Sequence, residues 1–168
     1  MVERAGLSRE KIILPRPMES IEIQGILVTP FEGLHWENDC ERPDGLRGVP
    51  AMGYLVEFCG KRWLFPGDVR TYDASQLPPF GDLDGVFVHL WLGRASAMRE
   101  KPPLLESFGR FCMGLQTPRL IVAHMLELGR DATEVWGDDH LLLVKQWLQQ
   151  HAPGIRVEPA RTGQRIRL

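Results

Sequence analysis

The sequence lacks most of the signatures that would name a chemistry outright. It has no GxGxxG and no GxxxxGK[S/T] pattern, which argues against a dinucleotide or P-loop phosphate site. Ser75, Ser96 and Ser107 sit in no nucleophile-elbow motif. The three cysteines, Cys40, Cys59 and Cys112, form no CxxC pair and stand in no recognisable Cys–His order. A set that is sparse and odd in number argues against a disulfide-framed extracellular module. No basic start leads into a signal-like apolar run, and no apolar stretch has the length of a membrane span. A cytoplasmic location without membrane association is therefore expected. The 20 basic residues nearly balance 22 acidic ones, for a net charge of −2. With no long basic run, no nucleic-acid partner is expected. Trp36, Trp63, Trp91, Trp136 and Trp147 are too scattered to define a stacking platform and read as packing residues. Histidines are present, yet no HxH or HxHxDH cluster gathers them.

What is present reads as a folded body. At 168 residues, 43% hydrophobic and 25% charged, the chain can bury a sizeable core and is not of disordered composition. No repeat, linker or internal boundary divides it, so residues 1–168 are expected to form one domain. Short strands are predicted at Ile12–Leu14, Ile21–Ile23 and Gly25–Thr29, the last closed by Pro30. Met52–Phe58 and Lys61–Phe65 alternate around a Cys-Gly turn and predict a hairpin. Further strands are predicted at Gly85–Leu90 and Arg119–Ala123, with Gln164–Leu168 as a closing edge strand. Leu104, Leu105, Phe108, Phe111, Cys112 and Leu115 recur at helical spacing. A second helix is expected over Asp139–Gln150, capped by Asp138 or Asp139 and stopped by Pro153-Gly154.

Three side chains at strand exits are candidates for metal ligation. Asp68 follows the hairpin and a Pro-Gly pair, His35 follows the strand that begins near Gly25, and His124 ends RLIVA. Neutral imidazoles and ionised carboxylates donate lone pairs to zinc or a harder divalent ion. Each also has a plainer reading: His35 as a loop hydrogen-bonding group, Asp68 as a turn cap, His124 as a satisfied core or helix-start histidine. His89 and His140 are read as packing beside Trp91 and as a helix-end hydrogen-bonding group, with service as a replacement metal ligand the lesser alternative for either. Glu37, Asp39, Cys40 and Glu41 form a polar cluster near His35 but lack a diagnostic metal spacing.

Taken in order, these segments resemble part of the metallo-β-lactamase superfamily, its second, C-terminal half. The resemblance is carried by IEIQGILVTPFEGLH ending at His35, by GYLVEFCGKRWLFPGD ending at Asp68, by RLIVAH ending at His124, and by Gly154–Leu168 as the closing segment. It implies an α+β fold, a partial αβ/βα sandwich with a mixed sheet flanked by helices. It further implies His35, Asp68 and His124 as metal ligands, with Asp68 also orienting the metal-water unit that attacks an ester, amide, lactone or phosphoester. The metal would be Zn2+ or another divalent ion, with a metal-free chain as the alternative. The family's HxHxDH element has no counterpart here. The implied function is accordingly a metal-dependent hydrolase-like domain that is incomplete or inactive as an isolated chain. The alternative is a noncatalytic structural or protein-interaction module derived from the same fold. A sheet face or edge left without its usual cover implies a homo-oligomer or a complementary chain, with a small-molecule substrate if the site is active.

Overall fold

A computed structural model describes Gly6, Ser8 and residues 12–35, 51–125 and 129–167. One seven-stranded sheet runs in chain order: β1 (Ile21–Ile23), β2 (Ile26–Glu32), β3 (Met52–Phe58), β4 (Lys61–Phe65), β5 (Gly85–His89), β6 (Arg119–Ala123) and β7 (Arg156–Pro159). The first three pairings are antiparallel and the last three parallel. The hairpin lies where the alternation predicts it, Phe58 facing Lys61 across a turn whose Cys59 and Gly60 both adopt positive φ.

Each parallel step needs a crossover. From β5 to β6 it is α1 (Leu105–Gly114), and from β6 to β7 it is α2 (Asp138–His151). Strands added in one direction through crossovers of one hand put their helices on one face. The core bears this out: Leu55, Leu64, Val86, Val88, Leu120 and Val122 share a cluster with Phe108 and Phe111 of α1 and with Leu141, Val144 and Leu148 of α2. Gly109 lets the helices meet, since a Cβ there would fall 2.3 Å from a ring carbon of Trp147.

The opposite face follows from the register. Val28, Val56, Trp63 and Gly85 lie in one row across β2–β5, and Pro30, Tyr54 and Phe65 in the next. Phe87 stacks on Phe65 at 4.6 Å, and Arg119 stands over Trp63. Arg119 also donates to the carbonyl of Arg167, so the C-terminal segment returns to this face at its β6 side. Towards β2 and β3 the face is open, with Tyr54 36% and Phe58 53% exposed.

Several expectations need correction. Pro30 does not close β2; the strand continues to Glu32. The proline is tolerated because β1 pairs β2 only from Ile26 to Val28, so no ladder bond to β1 is due at that position. Ile12–Leu14 and residues 164–167 are not strands, and the last strand is β7, whose Arg156 amide bonds Pro118. The N-cap of α2 is Gly137; Asp138 and Asp139 occupy its first turn, where carboxylates complement the helix dipole. Cys40 and its acidic neighbours lie outside the described residues. Cys112 is fully buried and its thiol is pushed well up by desolvation, as befits a packing residue. No helix among the described residues is long and apolar enough to cross a membrane.

Candidate metal centre

The sheet topology brings the site together. β4, β5 and β6 are consecutive parallel strands, so their C-terminal ends share one edge, the usual place for a site in such sheets. Asp68 follows β4, His89 is the last residue of β5, and His124 directly follows β6. β2 runs in the same sense as β4, being antiparallel to the intervening β3, and so His35 leaves by that edge too.

Asp68 is placed by a turn that only glycine enters without strain. Gly67 has φ +73°, and a Cβ there would lie 3.1 Å from the carbonyl oxygen of Met52. Beyond Asp68, the amides of Arg70 and Thr71 both donate to the Leu34 carbonyl, tying this loop to the exit of β2. The Tyr72 hydroxyl donates to the Trp91 carbonyl at 2.6 Å, and the Arg70 guanidinium lies 4.0 Å over the Trp91 ring. The loop is thus fastened to the exits of both β2 and β5. His124 has φ +61°, a conformation that costs a non-glycine residue about 1–2 kcal/mol. It is held between two anchored neighbours: the Leu90 amide donates to the Ala123 carbonyl and the Trp136 amide to that of Met125.

Asp68, His89 and His124 bring one donor atom each within 4.8 Å of one another. His89 Nδ1 lies 2.8 Å from Asp68 Oδ1, and His124 Nδ1 lies 3.2 Å from the same oxygen. An ionised carboxylate only accepts, so His89 donates from Nδ1. The two imidazoles stack with centroids 4.7 Å apart and planes inclined by 25°. The hydrogen bond from His89 holds the Asp68 carboxyl at about 2, below its ordinary 3.8, against the opposing effect of burial. The neighbouring His124, His89 and Arg70 charges add to that lowering.

Two imidazoles and a carboxylate are the donor set of many zinc sites, which take three protein ligands and keep a fourth position open when catalytic. Around a tetrahedral zinc, donors stand roughly 3.3–3.5 Å apart, given bonds of about 2.0–2.2 Å. The Asp68–His89 and Asp68–His124 separations of 2.8 and 3.2 Å need only a slight opening, and with all three donors within 4.8 Å of one another the residues suit a divalent ion. Among the described residues this is the one group that meets that test.

Asp68 and His124, both picked out by the sequence, are therefore neighbours. His35 is outside the group, though its Nδ1 is buried with no hydrogen-bond partner. His89, expected to pack beside Trp91, instead bonds Asp68 and stacks on His124. The signal for it was available: GVFVH and RLIVA-His are two apolar strands of similar length, each delivering a histidine at its exit. His140 keeps its expected role, accepting from the Gly137 amide at Nδ1 and donating from Nε2 to the Ala97 carbonyl.

No protein-family model and no curated protein sequence matches the chain. Solved structures do. The β-hydroxylase CmlA of Streptomyces venezuelae, described as a diiron enzyme, matches in a variant form with TM-score 0.61 and 16% identity over 95% of this chain and 34% of its own. The metallo-β-lactamase fold protein YhfI from Bacillus subtilis matches with TM-score 0.57 and 13% identity, over 89% of this chain and 52% of its own. A metallo hydrolase from the archaeon Ignicoccus hospitalis gives 0.55 and 12%, over 96% and 64%. Identities this low establish the fold and leave the chemistry to the site. The chain has the metallo-β-lactamase fold and spans less than two thirds of the length of these relatives.

Proposed function

We propose that this chain is a metal-dependent hydrolase-like domain in which Asp68, His89 and His124 hold one divalent ion. The observation that carries this reading is the convergence of those three donors at the exits of three adjacent parallel strands. Fold likeness to a metallo hydrolase agrees with it, and CmlA, a diiron hydroxylase, marks how widely chemistry varies on the same scaffold.

A divalent ion at this position supplies Lewis acidity, polarising a carbonyl or phosphoryl oxygen and lowering the pKa of water. The protein's part is positional. Asp68 is fixed by the Gly67 turn and by the loop's bonds to Leu34, and it stays ionised across the physiological range. His89 and His124 are ring-stacked, so each limits rotation of the other. Arg70 adds positive charge close to Asp68. Metal analysis of protein purified without added metal tests the reading. Close to one Zn, Mn or Fe per chain, lost in Asp68→Ala and His124→Ala, is expected. Failure to bind any divalent ion after controlled addition would remove it.

A second reading, a noncatalytic interaction module, is favoured by one observation. The outer face of β2 and β3 leaves Tyr54 and Phe58 open beside half-buried Val28 and Val56. Contiguous apolar area of this kind favours association. Under either reading the expected partner is a second copy of the chain or a complementary chain seated on that face.

A further inference from the structure

The inference concerns Arg130 and rests on the metal reading above. Its Nη2 lies 3.2 Å from His124 Nε2 and 3.5 Å from His124 Nδ1. Because the two distances are nearly equal, the guanidinium does not follow one ring lone pair, as an ordinary hydrogen bond would. It stands against the part of the ring that carries both nitrogens.

A neutral imidazole has one lone pair, and its other nitrogen carries a proton. A guanidinium has only donors to offer. If an ion takes Nε2, it claims a place Arg130 now borders. An ion on Nδ1 leaves Nε2–H directed at other N–H groups. Metal–nitrogen bonds run about 2.0–2.1 Å, so an ion on either nitrogen would stand within about 6 Å of the guanidinium nitrogen. In a partly buried site, like charges at such a separation repel strongly enough to alter an affinity by more than tenfold. We propose that Arg130 is a built-in competitor for metal at His124. It braces the imidazole in the metal-free protein and withdraws from the ring when an ion binds.

Zinc titration of the metal-stripped full chain by calorimetry tests this, comparing wild type with Arg130→Gln and Arg130→Lys. The Gln variant should bind zinc at least tenfold more tightly, and the Lys variant, which keeps the charge, should stay near wild type. Equal or weaker binding by Arg130→Gln, with wild type binding normally, overturns the competitor role alone and makes Arg130 a support for the ligand. If neither wild type nor Arg130→Gln takes up zinc, the metal reading falls and the inference with it. A measurement without any substitution covers a Gln variant that does not fold. The Arg130 side-chain resonance of the wild type should shift on zinc addition, and an unmoved resonance in zinc-loaded protein contradicts the proposal.

Discussion

Asp68 concentrates the chemistry at the scale of single residues. Its folded pKa lies near 2 where the ordinary value is 3.8, first because His89 donates to it. A carboxyl with a lowered folded pKa adds stability that is fully present above the unfolded value and is lost as pH falls through the folded one. The metal-free protein should therefore lose stability between about pH 4 and pH 2, with Asp68→Asn showing a flatter profile in urea midpoints over that range. The side chain is 40% exposed, so solvent screening keeps the effect modest. His89→Ala, which leaves Asp68 and His124 in place, is expected to weaken metal retention without abolishing it, read by metal analysis. Asp68 and His124 were legible in the sequence because each follows an apolar strand whose end must be a loop. His89 has the same pattern, but Trp91 offered a packing explanation. Only the strand order, with β5 between β4 and β6, reveals that a histidine there faces both other donors. His35 was placed at the right edge for the same strand-exit reason, while its distance from the other donors depends on loop paths that local pattern does not encode.

Among the elements, two glycines determine how the pieces meet. Gly67→Ala would hold a Cβ at φ +73° against a backbone oxygen, which does not yield as a flexible side chain does. A cost of about 1–3 kcal/mol is expected in chemical denaturation, together with weakened metal binding as Asp68 is displaced. Gly109→Ala drives a methyl into Trp147 where α1 crosses α2. Overpacking of this kind costs about 1–3 kcal/mol, and it should lower thermal stability without removing metal binding. The hairpin and both helices could be read from periodicity, since alternation and the 3.6-residue repeat are local properties. The course of β2 past Pro30 could not. Whether a proline is tolerated in a strand depends on which neighbour pairs at that position, and β1 stops short of it. The tail after Gly163 has the composition of a strand, but Arg156–Pro159 takes the place beside β6, and the carbonyl of Arg167 accepts from the Arg119 side chain instead of joining a ladder.

For the whole molecule, the sheet has one face closed by two helices and another that is only partly covered. The composition predicted a folded body, and the order of the segments ending at His35, Asp68 and His124 carried the resemblance that implied a mixed sheet and the fold. Which face stays open was not legible, since it follows from both crossovers lying on the same side. The open face predicts that the protein sediments above the 19.1 kDa of one chain, and that Val56→Lys shifts it towards the monomer. A monomer in wild type at high concentration would leave that surface without a self-association role. The proposed function depends on Asp68, His89 and His124 forming a single coordination sphere. X-ray absorption at the zinc edge tests it most directly on zinc-loaded wild type and His89→Ala. A nitrogen and oxygen shell with outer scattering from two imidazoles is expected in the wild type, reduced to one in the variant. An identical spectrum in both proteins, or a shell without imidazole scattering, would contradict it.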